Sequence, residues 1–447
     1  MFVATAIVLL SLNVGALNIF RFPQSKLTSS RLRLSSALID DAILSINNST
    51  GVGSIAASVV SNVLTVPIQV GDQPAVFNVI IDTGSANLWL KDPRCDSLCD
   101  LDGLLQKSKT FENDPGTSFA FHYADGTRVE GRVHSDIIKL GGTALARQNV
   151  GGVQFWSSQT YFDDDGIAGL SSLGANVSTI DANIFDAIKQ KFGKAQVGFW
   201  YDRTVLSFNV EGKQMPNGGS VSFGGPDPSK YTGQLRYLQL EGKEDFWQTK
   251  VAGVSVGGAS ISLMSPLTAI FDTGTSLSLI PEYLFEEMTK PEYGFIPTEL
   301  QVHTIPCENA KRLPELVLTL DGGFQIRLTW EKQIIVLQGY CYSSFMTTPI
   351  NNMTILGVTV LRNFYTLFDG DEHRIGFADP VGESPIPVFS DGRVAGYKNS
   401  NGTVIPVTNP TGGNHGRSPY HISGANSVAA NVVAIIALIC VLMLVRQ

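Results

Sequence analysis

The fold of this chain turns on the stretch VIIDTGSANLWL, Val79 to Leu90. Val79, Ile80 and Ile81 read as a buried strand, and Leu88, Trp89 and Leu90 are equally apolar. Between them a carboxylate, Asp82, is pushed into what reads as core. An ion buried without a partner is strongly disfavoured, so Asp82 calls for a second group that is not nearby in sequence. A lone Asp-Thr-Gly is a weak motif. It returns, however, in AIFDTGTSLSLI, Ala269 to Ile280, again with apolar residues leading in and out of Asp272-Thr273-Gly274. A repeat is tested by whether other features recur at matching distances. Ile167-Ala168-Gly169 follows the first copy and Ile355-Leu356-Gly357 the second. Asp82 and Gly169 are 87 positions apart, and Asp272 and Gly357 are 85 apart. Two halves of nearly equal size carry the same signals in the same order, which predicts a duplicated lobe with one aspartate from each copy.

If the lobes face each other across a pseudo-twofold axis, Asp82 and Asp272 meet at their interface. Two carboxylates that close share a proton, because both cannot ionise cheaply. One then serves as base toward a water and the other as acid toward a carbonyl oxygen, which is amide hydrolysis without a covalent intermediate. The glycines let the backbone turn tightly and approach a substrate. The Thr and Ser hydroxyls of both motifs can hold the carboxylates by hydrogen bonds.

The rest of the chain bounds this reading. With 447 residues, there is room for about two to three domains. A net charge of −8 argues against a nucleic-acid partner, which requires clustered Lys and Arg. Residues 1–16 read as a secretory signal with small residues before a cut after Ala16, although the usual basic start is missing. Residues 17–55 hold Arg21, Lys26, Arg31 and Arg33 with no acid before Asp40, a basic propeptide in an otherwise acidic protein. A first lobe is expected over 56–232 and a second over 233–380. Period-two patterning in VLTVPIQVG, TSFAFHYADGTRVEGRVHSDIIKL, GSVSFGG and WQTKVAGVSVGGASISL predicts strands, with IFDAIKQKFG and PEYLFEEMTK as the best helices.

Residues 381–427 are rich in Pro, Gly, Asn and Ser and read as a flexible stalk. Residues 428–447 are an apolar tail. Val428 to Val445 spans 18 residues, interrupted only by Asn431, which is short for a spanning helix of about 20. The tail also fits a glycolipid-anchor signal, with Ser423-Gly424-Ala425 as small residues or an attachment site upstream near Asn414. Sequons at Asn47, Asn48, Asn176, Asn352 and Asn401 support secretion. Of five cysteines, Cys440 lies in the tail. The other four allow three pairings. Cys95 with Cys99 as a small local loop, and then Cys307 with Cys341, is the natural set; free thiols or zinc are the alternatives, and zinc lacks a histidine at ligand spacing.

Over about residues 60–380 the chain resembles the pepsin-like aspartic endopeptidases. The features that carry the resemblance are the two D-T-G-[S/T] loops, both apolar-apolar-Gly segments, NLW after the first loop, WQ before the strands of the second lobe, and RIGFADP at the end. The resemblance implies an all-β, bilobal fold with few short helices, a long cleft and a flap hairpin. It implies a dyad of Asp82 and Asp272 sharing one proton. FHYADGTRV fits the flap, with Tyr123 at its tip, Trp89 supporting it and Asp125 placed to admit basic side chains. Gly84, Ser85, Gly274 and Thr275 would touch substrate, and Thr83 and Thr273 would support the dyad. A third disulfide of the vertebrate digestive members is missing, which touches nothing catalytic. The resemblance implies peptide substrates; no metal motif appears, no cofactor is expected, and the expected form is a monomer with the C-terminal tail as its membrane anchor.

Two other functions compete. Gly253-Val254-Ser255-Val256-Gly257 matches G-x-S-x-G, but that motif requires a strand, a sharp elbow and a helix. Its flanks read instead as a hairpin with a Gly-Gly turn. A catalytically silent peptide-binding protein on the same fold would have lost an aspartate, and both are intact.

Overall fold

The computed structural model describes residues 44–60, 62–92, 101, 105, 107–122, 128–157, 164–171, 184–203, 215–240, 246–297, 302–337, 340–382, 386–390, 393–398 and 404–406. The fold is bilobal and mostly strand, with a few short helices.

Each half builds its motif in the same way. In the first, Val63–Val70 runs antiparallel to Phe77–Asp82, which lies parallel to Gly166–Gly169, with Asp82 opposite Gly169. Leu88–Leu90 returns antiparallel beside Gly166–Gly169. In the second, Leu267–Phe271 lies parallel to Met353–Leu356, and Ser278–Pro281 returns beside it with Leu279 opposite Ile355. Gly169 and Gly357 are glycines for a steric reason. A Cβ on Gly169 would sit 2.5 Å from the Asn87 amide nitrogen, and one on Gly357 would sit 2.5 Å from the Thr275 and Leu277 carbonyl oxygens.

The first half alone adds a long meander. Glu112–His122 pairs with Arg128–Leu140, which pairs with Thr143–Ser157. Phe119 and Phe121 stack 4.8 Å apart on the first of these strands.

Beneath the two motifs lies a sheet that both halves share. Its antiparallel order is Gly53–Val60, Met215–Phe223, Gln196–Tyr201, Tyr365–Asp369, Arg374–Pro380 and Tyr231–Gln239. Alternation gives the sheet two faces. Val197, Phe199, Phe368 and Phe377 bury against the lobes. Phe199 meets Phe368 edge-on at 5.5 Å, Trp247 meets Phe368 at 5.1 Å, and Phe271 packs 5.7 Å from Phe377. Phe271 directly precedes Asp272. The Trp247 indole donates to the Leu170 carbonyl at 2.7 Å, one residue past Gly169. The floor of the site is therefore anchored to aromatic core from both directions.

Several sequence expectations need correction. The boundary at 55/56 falls inside strand Gly53–Val60, and that at 232/233 falls inside Tyr231–Gln239. Local composition cannot mark such limits, because both strands belong to the shared sheet. Residues 381–427 do not read uniformly as a stalk. Ile386–Ser390, Arg393–Lys398 and Val404–Pro406 form a three-stranded antiparallel sheet. Its middle strand packs near Cys307–Ala310 and Tyr340–Ser343 of the second lobe. The apolar residues of these strands are few and broken by Pro and Gly, which hid their alternation.

The expected helices are present as Ile184–Phe192 and Glu282–Met288. Ser255 lies within strand Gln248–Val256, opposite Ser260, and Gly257 and Gly258 make the turn with φ of 59° and 86°. No elbow or helix follows it. Cys307 and Cys341 form a disulfide with a Cα–Cα distance of 5.3 Å. Asn47, Asn48 and Asn352 are exposed on turns. Cys95, Cys99, Tyr123, Asp125, Asn176 and Asn401 lie outside the described residues, as do segments 1–16 and 428–447. Among the described residues no helix is long and apolar enough to cross a membrane.

Candidate active site

The two Asp-Thr-Gly loops meet face to face at the lobe interface, and Asp82 and Asp272 are 0% and 3% exposed. How close they come is seen from the glycines. A Cβ on Gly84 would stand 2.5 Å from the Asp272 carboxyl carbon, and one on Gly274 would stand 2.5 Å from that of Asp82. Each loop thus needs a glycine so that the carboxylate of the other lobe can fit against its backbone.

Within each loop the carboxylate is held locally. The Gly84 amide donates to Asp82 Oδ1 at 2.8 Å, and the Ser85 hydroxyl donates to Asp82 Oδ2. The Gly274 amide donates to Asp272 Oδ1 at 2.8 Å, and the Thr275 hydroxyl to Asp272 Oδ2 at 2.5 Å. Donors of this kind favour the charged form. Burial and the opposing carboxylate act the other way. For Asp82, burial first and the charge of Asp272 second hold the carboxyl well above the usual carboxylate range. Two carboxylates this close favour a state in which the pair holds one proton between them.

Thr83 and Thr273 do not bond the carboxylates, as the Ser85 and Thr275 hydroxyls do. They reach across the interface. The Thr83 amide donates to Thr273 Oγ1 at 3.0 Å, and the Thr273 amide donates to Thr83 Oγ1 at 2.9 Å. Each hydroxyl in turn donates onward, Thr83 to the Phe271 carbonyl at 2.9 Å and Thr273 to the Ile81 carbonyl at 2.7 Å. These four buried hydrogen bonds cross the interface, each satisfying a group that would otherwise be orphaned.

Trp89 is buried on the strand directly beside the meander, opposite Gly151 and Ile167. A Cβ on Gly151 would press on the Phe119 ring at 2.7 Å and on Trp89 at 3.1 Å, so both side chains lie close around that glycine.

Three features escaped the sequence reading. Lys91 and Asp164 form a buried ion pair at 3.5 Å, with the Lys91 ammonium 4.2 Å above the Trp156 ring. A lysine straight after an apolar strand and an aspartate straight before another were visible signals, but not as partners. Asn62, in a left-handed turn with φ of 78°, donates to the Ser276 carbonyl at 3.4 Å and so ties the first half to the second aspartate loop. The third, Tyr201, left no signal in a run of core-like residues.

Comparison with known proteins agrees with this geometry. The family model described as eukaryotic aspartyl protease matches residues 64–380. Cathepsin D of Mus musculus is 32% identical over 343 residues, covering 70% of this chain and 80% of that protein. The vacuolar aspartic protease of Candida albicans is 30% identical over 325 residues, 70% of this chain and 74% of its own length. Cathepsin D of Homo sapiens is 30% identical over 344 residues, 70% and 79% respectively. The chain belongs to the eukaryotic aspartyl protease family and is an aspartic-type endopeptidase.

Proposed function

We propose that Asp82 and Asp272 are the catalytic pair of this endopeptidase and that it acts on peptides at acidic pH. Ionised Asp272 takes a proton from a water as its oxygen attacks the scissile carbonyl carbon. The proton on Asp82 passes to the carbonyl oxygen, giving a neutral tetrahedral diol. Collapse then returns a proton to the leaving amine, breaks the C–N bond and restores one shared proton. The observation that carries this reading is the reciprocal packing of each aspartate against the glycine of the other loop, with burial and the opposing carboxylate holding the Asp82 carboxyl above the usual carboxylate range.

Gly84, Ser85, Gly274 and Thr275 border the pair and are the proposed contacts to substrate backbone. Tyr123 and Asp125, in the stretch of sequence between His122 and Arg128, are the proposed flap contacts. Arg21, Lys26, Arg31 and Arg33 would cover the acidic cleft at neutral pH and leave it as cleft carboxyls gain protons. The secretory route is supported by the sequons and by relatives named for the vacuole. The finer proposal is a surface tether through residues 428–447, by glycolipid rather than a helix, because the apolar run is short and lacks a basic flank.

A peptide-library digest at acidic pH tests the activity, with Asp82→Asn and Asp272→Asn as controls. Full activity in either variant overturns the dyad. Phosphatidylinositol-specific phospholipase on intact cells tests the tether. Release of active enzyme supports the glycolipid, whereas a mature chain that still ends in Arg446-Gln447 rules it out.

A further inference from the structure

Tyr201 ends the central strand Gln196–Tyr201 of the shared sheet, and it is 5% exposed. Its face is fixed by register. Phe199, two residues earlier, points to the inner face with Phe368, so Tyr201 does too. Trp200 lies on the other face, where Lys230 sits 4.4 Å over its ring. Across from Tyr201 on the neighbouring strand is Gly219, which brings no side chain to that face. The inner face is the one that packs on Phe271 and so lies beneath the second aspartate loop.

The phenol ring is core-like, but its hydroxyl is not. The Tyr201 hydroxyl is buried and has no hydrogen-bond partner among the described residues. Thr366 Oγ1, on the same inner face opposite Phe199 and Phe377, is a second buried hydroxyl without one. Leaving such a group unsatisfied costs about 1–3 kcal/mol, and a phenylalanine would have filled the same volume. Two orphaned hydroxyls on one face are the setting in which a buried water is held. The phenol is also in electrostatic reach of the site. Its acidity is suppressed first by burial and then by the negative charge of Asp272.

We propose that Tyr201 is a positioning residue for the dyad: its hydroxyl, through one water shared with Thr366, donates toward the underside of the Asp272 loop. This inference deepens the proposed function and rests on it. A donor on that side favours the ionised dyad, so it lowers the pH at which the base becomes available. The charged groups around it are few. Asp82 and Asp272 lie in the loops above. Asp202 and Arg203 follow it in the chain, and Arg203 donates to the Gly382 carbonyl. Lys332 is over the Phe364 ring at 5.3 Å, and Arg362 reaches Asn62 at 3.5 Å.

The test uses Tyr201→Phe, which keeps the ring, and Thr366→Val, which keeps the shape. In Tyr201→Phe the acid limb of kcat/KM moves to higher pH, with about threefold loss on the limb and little change at the plateau; Thr366→Val moves it the same way by less. A limb that superimposes on that of the parent overturns the proposal, as does an equal loss at every pH. A second readout does not need activity. Without the donor, the dyad holds its proton more tightly in the fold, so the stability difference between parent and Tyr201→Phe should widen as pH rises through the dyad's titration. In an Asp272→Asn background that widening should vanish, and its persistence there also overturns the proposal. Were the parent inactive at all pH values, the proposed function would fail while the stability cycle still judged Tyr201.

Discussion

The two aspartate loops are nearly mirror copies at the interface and differ directly behind it. In front, both use one amide, one hydroxyl, one glycine and one crossing threonine. Behind Asp272 the strand Ser278–Pro281 is held by hydroxyls: Thr359 Oγ1 receives the Ser278 amide at 3.0 Å and donates to the Ser344 carbonyl at 2.9 Å, and Ser278 Oγ receives the Gly357 amide at 3.1 Å. Behind Asp82 the strand Leu88–Leu90 leads instead into the Lys91–Asp164 ion pair under Trp156. The same task is done with full charges on one side and neutral dipoles on the other. The chemistry requires symmetry only where the carboxylates meet. One layer back, each half answers to its own neighbours, and only the first half carries the long meander.

The largest test of that contrast is the pair itself. Asp82→Asn and Asp272→Asn should each lower kcat by about 10²–10⁴-fold or more, the range for losing a general acid or base. Because the proton is shared, the two losses should be alike in steady-state assays. A tenfold-active variant on one side only would mean that the halves differ in the chemistry as well as in its support.

Next comes the layer behind. Lys91→Met leaves Asp164 buried without its partner and should cost about 3–5 kcal/mol in denaturant unfolding. Removing Ser278 Oγ by Ser278→Ala should cost only about 1 kcal/mol, the net worth of a neutral hydrogen bond. Equal costs would erase the contrast between charge and dipole. Gly84→Ala and Gly274→Ala probe the symmetric layer again. Each pushes a methyl into the opposite carboxyl, and a displacement of about 1 Å can lower the rate about 10²-fold. Both should lose kcat, and to the same degree.

The smallest effect is on stability against pH. Asp82 has its carboxyl held above the ordinary 3.8 by burial. In the window above 3.8 the folded state therefore binds more protons than the unfolded one, and stability falls as pH rises through that window. Asp82→Asn removes this term. Its melting temperature should gain on the parent as pH rises toward neutral and lose that gain below about 3.8. A constant offset would mean that Asp82 ionises freely in the fold.

Much of this was readable in the sequence. Asp82, Asp272 and the glycines at 169 and 357 sit in repeats whose spacing survives in any one chain, because backbone that close tolerates no side chain. The crossing of Thr83 and Thr273 was not readable, since a threonine beside an aspartate suggests a local bond and only the lobe interface supplies the distant acceptor. Lys91 and Asp164 are apart in sequence and become partners only when three strands align. Tyr201 sits in QVGFWY, whose alternation places it in the core correctly and says nothing about its hydroxyl. The strands between Ile386 and Pro406 were missed because each holds only two or three apolar residues.

The crossed threonines also set a clock. Thr83 and Thr273 lie 190 residues apart, so at roughly 5–20 residues per second of synthesis about ten to forty seconds separate them. Throughout that interval the first loop has emerged and can begin to fold, but the acceptor for the Thr83 amide does not yet exist. A half-made chain thus has half of the crossing and one of the two facing carboxylates.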